Sequence, residues 1–180
     1  MAGEEIEGEV RRLVREDDPR ALELIYDLFG GSLYGFLAAR LRDAGEAEEV
    51  LQELFLDLAR RPSRLLGARK IEPWLFAKAR NLSIDRLRAR GRAERRMADW
   101  PAWLEPVAQP CDPPSRDLAE LLDRLPIDQK DVIVMKVLQG RTFAEVGELL
   151  GISINTAASR YRYALEKLRE WLQGAQSHDS

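Results

Sequence analysis

The chain has 180 residues, 45% hydrophobic and 33% charged, with a net charge of −3, enough for one large domain or two small ones. No apolar run approaches the roughly 18 residues of a membrane span, and the acidic start MAGEEIEGEV lacks the regions of a signal peptide, so no membrane insertion and a cytoplasmic location are expected. A single cysteine, Cys111, excludes an internal disulfide or Cys-rich zinc site, and a single histidine, His178, in a polar tail leaves a Ser-His-Asp or Cys-His arrangement without a base, so neither metal, cofactor nor hydrolytic chemistry is expected.

Residues 4–16 alternate acids and bases around Ile6, Val10, Leu13 and Val14, a weakly amphipathic helix. Asp18-Pro19 is a helix start, with Asp18 as N-cap and Pro19 at the first position. The helix it opens is expected to end near Gly30-Gly31, with Ser32 capping the next, which carries Leu33, Phe36, Leu37 and Leu41. Gly45 then separates off a third helix, EAEEVLQELFLDLARR. Its core stripe is Val50, Leu51, Leu54, Phe55 and Leu58, and its other face shows Glu46, Glu49, Gln52, Glu53 and Asp57. A basic loop, RPSRLLGARK, fills 61–70.

The next stretch, IEPWLFAKARNLSIDRLRAR over 71–90, reads as one long helix. Pro73 falls in the first turn, where proline is tolerated, and Gly91 is a plausible stop. Leu75, Phe76, Ala79, Leu82 and Leu87 form the apolar stripe. Trp74, Lys78, Asn81, Asp85 and Arg88 fall on another face. An aromatic ring, an amide and cations on one exposed face can stack on bases, hydrogen-bond them and hold phosphates. A solvated helix with i,i+3 ion pairs such as Asp85–Arg88 presents the same pattern. Charge distribution adds weight to the first reading. Residues 60–96 hold thirteen Lys and Arg against three acids, an excess of ten, so the rest of the chain carries −13. Such segregation gives one surface suited to phosphate and others suited to a basic partner.

Residues 97–115 contain five prolines, too many for a helix or strand, and read as a linker. Its Trp100 and Trp103 are expected to tuck against a neighbouring domain, the alternative being that the linker docks into a partner's groove. A second helical unit begins at Arg116. Leu118, Leu121, Leu122 and Leu125 share a helix stopped by Pro126. Val132, Ile133, Met135, Val137 and Leu138 lie on the next, stopped by Gly140. Thr142 and Glu145 make a capping box, Gly151 ends the short helix it opens, and Ser153 caps the last. The tail from Gln173 reads as disordered. No strand signal or internal repeat is present.

A short helix, a glycine turn and a longer basic helix is the helix-turn-helix plan. Ala144 is small where the two helices are expected to cross, and Ile152 plugs the core. Ala157, Tyr161, Ala164, Leu165 and Leu168 point inward. Asn155, Thr156, Ser159, Arg160, Arg162 and Tyr163 lie outward or near the N-terminal end, where side chains reach base edges in a major groove. An ordinary helical hairpin is the structural alternative. The fold class is all-α: two small helical domains, 1–96 and 116–180, joined by the linker 97–115.

These motifs resemble the small bacterial RNA polymerase sigma factors of the extracytoplasmic-function type. LYGFLAARLRDAGEAEEVLQELFLDLAR followed by IEPWLFAKARNLSIDRLRAR resembles region 2, with the distinctive pattern WLF-x-x-ARN-x-x-ID-x-LR. LLDRLPIDQKDVIVMKVLQGRTFAEVGELLGISINTAASRYRYALEKLRE resembles region 4. The resemblance implies that the chain binds RNA polymerase core and directs initiation at promoters. Asp43, Glu49, Gln52 and Glu53 would meet the β′ clamp helices. The loop 61–70 and the face of Trp74, Lys78, Asn81 and Arg88 would open the minus-ten element and hold a flipped base, with Asp85 orienting Arg88. The last helix would read the minus-thirty-five element as duplex, and the β flap and an anti-sigma factor would be further partners. Where many relatives carry a valine and a basic residue after the threonine, this chain has Ala157 and Ala158, and Tyr163 stands where arginine is frequent. Those departures imply weaker or altered minus-thirty-five recognition. Against the sigma reading stands a stand-alone helix-turn-helix regulator with an N-terminal sensor or dimerisation domain. Against an enzyme stands the lack of a usable His, a Cys cluster or a Gly-rich phosphate loop.

Overall fold

The computed structural model describes residues 2–97 and 116–176, with side chains over 5–92 and 120–173. The expected linker from residue 98 onward, with Trp100 and Trp103, lies outside them. Among the described residues there are helices and short connections and no strand. The chain divides into two compact units, Met1–Cys111 and Asp112–Ser180.

The first unit is built from α1 (Ala2–Arg15), α2 (Arg20–Leu41), α3 (Ala44–Arg60), a 3-10 turn (Pro62–Gly67) and α4 (Ile71–Met97). Asp18 does cap α2: its carboxylate accepts the Arg20 N–H at 2.9 Å. The Arg20 side chain and that backbone bond together hold the Asp18 pKa down at about 2. The break expected at Gly30-Gly31 does not occur, and α2 runs through both glycines. Each glycine costs a helix about 1 kcal/mol relative to alanine. On the same helix Ile25, Leu33, Phe36 and Leu37 are fully buried, each contributing about 2 kcal/mol, so packing outweighs propensity. Gly30 also lies under the Tyr26 ring, where an added Cβ would sit 3.3 Å from a ring carbon.

Gly91 likewise fails to stop α4, which continues to Met97. The glycine does not take the left-handed conformation of a C-cap; among the described residues the glycines that do are Gly140 and Gly151. The apolar stripe of α4 packs as expected over its first half. Leu75, Phe76 and Ala79 are buried, with the Phe76 ring edge-on to Phe36 at 5.4 Å, while Leu82 and Leu87 are only half-buried. The pattern missed the polar pair beneath it. Arg40 and Ser83 are both buried. Arg40 Nε donates to Ser83 Oγ at 2.9 Å, and that hydroxyl donates to the Arg80 carbonyl at 2.7 Å. Hydrogen bonding keeps this buried charge tolerable.

The second unit holds α5 (Arg116–Asp123), α6 (Ile127–Ile133), a π turn (Val134–Leu138), α7 (Phe143–Leu150) and α8 (Ile154–Gln176). Leu122, Leu125, Ile133 and Ala164 form a core that Tyr161, Leu168 and Trp171 cover. Arg124 lies 4.5 Å over the Trp171 ring. The buried Lys130 ammonium pairs with Asp123 at 2.7 Å. Three expectations fail here. The π turn widens the end of α6 and leaves Val137 and Leu138 more than half exposed, rather than in the core. Leu165 is 37% exposed, unlike the fully buried Ala157 and Ala164. The tail is helical as far as Gln176.

Candidate nucleic-acid and polymerase interface

Two surfaces carry the residues singled out by sequence. In the first unit, α3 and α4 pack so that the acidic edge of one meets the basic edge of the other. Asp57 Oδ2 lies 3.0 Å from Lys78 Nζ and 2.7 Å from Arg64 Nη1. Glu49 reaches Arg86 at 2.9 Å, and Glu46 reaches Arg90 at 3.4 Å. Arg90 also donates to the Leu41 carbonyl at 3.0 Å, tying α4 to the end of α2. The Lys78 hydrogen bond is the main cause of a lowered Asp57 pKa.

This ladder divides the predicted residues. Trp74 is half-buried, while Asn81, Asp85 and Arg88 are exposed beyond it on the outer face of α4. Lys78 belongs to the same face but shares its charge with Asp57. Arg88 and Asp85 stand 3.8 Å apart, each at least 70% exposed. Asp85 is thus paired with Arg88 as expected, though a pair that open contributes little to stability. On α3, Gln52 and Glu53 are exposed, and Glu49 is exposed while joined to Arg86. Asp43 has a local job: its carboxylate accepts the Glu46 N–H at 2.8 Å as N-cap of α3. Beside Gln52 a groove of about 450 Å3 runs between α2 and α3, floored by Tyr26, Tyr34 and Phe55.

The second surface is the α7–turn–α8 element. Its local chemistry follows the sequence closely. Glu145 Oε2 accepts the Thr142 N–H at 2.7 Å, and Thr142 Oγ1 accepts the Glu145 N–H at 3.2 Å. Gly151 takes φ +67° at the turn. Ser153 Oγ accepts the Thr156 N–H at 3.0 Å and caps α8. Ile152 is half-buried rather than a full plug. The tight approach is not at Ala144, which is exposed. It is at the buried Gly147, where a Cβ would stand 2.8 Å from the Ile152 carbonyl oxygen. Backbone crossing backbone leaves room for hydrogen alone.

On α8, Asn155, Arg162 and Tyr163 are exposed, with the Arg162 guanidinium 5.5 Å over the Tyr163 ring. Arg160 is partly turned aside and pairs with Asp128 at 3.0 Å. Ser159 Oγ donates to the Asn155 carbonyl at 2.9 Å, and the Thr156 and Ser153 hydroxyls are 2.8 Å apart. Asn155 and Arg162 are therefore the donors best placed to reach outward.

The hydrogen bond from the Thr142 backbone is the largest cause of a lowered Glu145 pKa. A depressed carboxyl contributes stability above its unfolded pKa, and that contribution fades as pH falls through the folded value. Glu145→Ala is therefore expected to lower the thermal midpoint most near neutral pH. The gap to the parent should shrink as pH falls below the ordinary value of about 4.5, which melting curves across the acid range will read.

Residues 25–93 match the family described as Sigma-70 region 2, and residues 115–168 match Sigma-70, region 4. The sigma factor CarQ of Myxococcus xanthus is 32% identical over 166 residues, 88% of this chain and 92% of CarQ. The chain belongs to the ECF family of RNA polymerase sigma factors. The ECF sigma factor SigK of Mycobacterium ulcerans is also 32% identical, over 91% of the chain and 92% of its own length. Among solved structures, CnrH in complex with the cytosolic domain of CnrY shares the fold at a TM-score of 0.69 and 20% identity, over 94% of this chain and 98% of that one. RpoE of Bartonella quintana, solved with the anti-sigma factor NepR, does so at 0.63 and 24%, over 84% and 96%. A sigma factor is a transcription initiation factor that acts through DNA. The region 2 match covers the first unit from residue 25 to residue 93. No helix among the described residues is long and apolar enough to cross a membrane.

Proposed function

We propose that this sigma factor divides its work between three faces. The exposed edge of α3, with Glu53 and Gln52 at its centre and Glu49 and Asp43 beside them, meets basic side chains on the β′ clamp helices of RNA polymerase core. The loop 61–70 and the Trp74–Lys78–Asn81–Arg88 face open the minus-ten element and capture an extruded base of the displaced strand. The α8 surface of Asn155, Thr156, Ser159, Arg160, Arg162 and Tyr163 reads the minus-thirty-five element as duplex, with Asn155 and Arg162 as principal donors. The domains follow: 1–96 for core binding and melting, 97–115 as connection, 116–180 for the upstream element. In the last of these the exposed Val137–Leu138 pair suits the β flap.

The observation that carries this reading is the α3–α4 ladder. It neutralises part of the basic segment with Asp57, Glu49 and Glu46, yet leaves on the α4 face a half-buried aromatic ring with an exposed amide and the exposed Arg88 beyond it. That arrangement suits strand capture, in which unstacking costs a few kcal/mol per base and is offset by stacking and backbone contacts. It does not suit tight binding of intact duplex, for which a net charge of −3 is also unfavourable. No covalent chemistry is required, and the protein works in the cytoplasm beside the polymerase. A protein inhibitor of the anti-sigma kind completes the proposal. It is supported by RpoE having been solved with one.

Charge reversal tests the polymerase face. Glu53→Lys is expected to weaken core association about tenfold, since a like charge against a basic partner is costly. Titration of labelled core measures it, and unaltered affinity would remove α3 from that role. Glu49→Lys also breaks the Arg86 pair, so Glu53 gives the cleaner result.

A further inference from the structure

Helix α1 lies outside the region 2 match, which begins at residue 25, and nothing above gives it a task. Two of its polar side chains, Arg11 and Glu7, are aimed at one place, while Arg12 pairs locally with Glu9 and Glu16. Arg11 Nη2 donates to the Ala68 and Arg69 carbonyls at 2.7 and 3.2 Å, and Nη1 donates to those of Leu65 and Leu66, each at 3.3 Å. One guanidinium thus gathers four carbonyl oxygens where the 3-10 turn ends. Glu7, one helical turn earlier, accepts the Ile71 N–H at 3.0 Å and lies 3.6 Å from Arg11.

The sequence explains why outside help is needed. The residues before α4, GARK, include no Ser, Thr, Asp or Asn of the usual N-cap kind, and the Ile71 N–H is met from α1 instead. At the end of the 3-10 turn the Leu65 carbonyl accepts the Ala68 N–H at 3.2 Å, and Arg11 adds side-chain donors there and to the carbonyls that follow. Glu7 supplies the acceptor and Arg11 the donors. A planar fork with five N–H groups can bridge several carbonyls, as a lysine ammonium cannot. Val10, Leu13 and Val14 bury the other face of α1, so the helix is seated independently of these bonds.

With its backbone drawn inward, the loop turns Arg61, Arg64, Arg69 and Lys70 out to solvent. Arg64 and Lys78 share Asp57 Oδ2, which joins the loop to the α4 face. We propose that Arg11 and Glu7 are positioning residues for promoter opening: they hold loop 61–70 and the start of α4 in the shape that presents the loop cations to the phosphates of the displaced strand. This rests on the assignment of that loop to strand opening.

The test uses the full chain with core polymerase. In the free protein, hydrogen exchange of amides 64–71 reads the staple. In the holoenzyme, permanganate reactivity of promoter thymines reads opening, and titration reads core affinity. Arg11→Ala and Glu7→Ala are expected to speed exchange and slow opening about tenfold, the loss of a charge-assisted hydrogen bond, with core affinity unchanged. Arg11→Lys should recover little, whereas Glu7→Gln, which keeps an acceptor oxygen, should behave nearly as the parent. Unchanged exchange in Arg11→Ala would overturn the proposal. A double Arg61→Ala, Arg69→Ala variant separates the remaining outcomes. If it slows opening while Arg11→Ala does not, the positioning role is wrong and the loop assignment stands. If neither slows opening, the loop assignment itself has failed and the proposal falls with it.

Discussion

Asn81→Ala is expected to reduce promoter opening about tenfold while core affinity stays at the parent value, and adding Trp74→Ala should deepen the loss. Stacking of a base on an aromatic side chain is worth about 1–3 kcal/mol, which is about five- to a hundredfold in strand affinity. Asn81 is exposed, so its removal disturbs no core contact. Trp74 is half-buried, so the single Asn81 variant is the sharper probe and the double variant needs a melting control. Lys78→Ala should do less than either, because its ammonium is already paired with Asp57 at 3.0 Å and gives up that partner to reach DNA. Permanganate reactivity of the melted strand measures opening. Reactivity equal to the parent in the Asn81 variant would mean that this face has been assigned wrongly.

Gly147→Val should unfold the helix-turn-helix. The added carbons meet the Ile152 carbonyl oxygen, 2.8 Å from the first of them, with the Ile154 nitrogen close behind at 3.5 Å. Both are backbone atoms that cannot rotate away. Even Gly147→Ala is expected to cost stability. Its helix propensity gain is about 1 kcal/mol, against about 1–3 kcal/mol for overpacking a closed site. The parallel change Gly31→Ala, where nothing lies within 4 Å and φ is not positive, should stabilise α2 by up to about 1 kcal/mol. Denaturant unfolding of the three variants reads these differences. A Gly147→Val protein as stable as the parent would contradict the crossing described for α7 and the turn.

Local chemistry was legible where a residue type has one structural use. Thr142 with Glu145, Gly151 and Ser153 form the caps that their spacing implies. Val50, Leu54, Leu75, Phe76 and Ala79 are the core that their periodicity implies. Element ends were less legible, because Gly30, Gly31 and Gly91 weaken a helix by amounts that packing overrides. The buried Arg40–Ser83 pair was hidden because a hydroxyl and a cation look like surface in a pattern of apolar residues. The candidate faces were visible as lists of residues, but not their internal wiring. No spacing rule within α3 or α4 says that Asp57 lies against Lys78 or Glu49 against Arg86, since those pairs depend on how the two helices dock. For the same reason α1 gave only alternating charges, and its hold on loop 61–70 appears only in three dimensions.

The central claim is that this chain reads promoters as part of a polymerase and not alone. Run-off transcription with purified core on a library of genomic fragments, paired with gel shifts of the chain without core, tests it most directly. The expected result is a small set of transcripts sharing minus-ten and minus-thirty-five elements, lost on omission of the chain, with weak and unselective binding by the chain alone. Tight, sequence-specific binding of duplex by the chain alone, with no transcript that depends on it, would contradict the account.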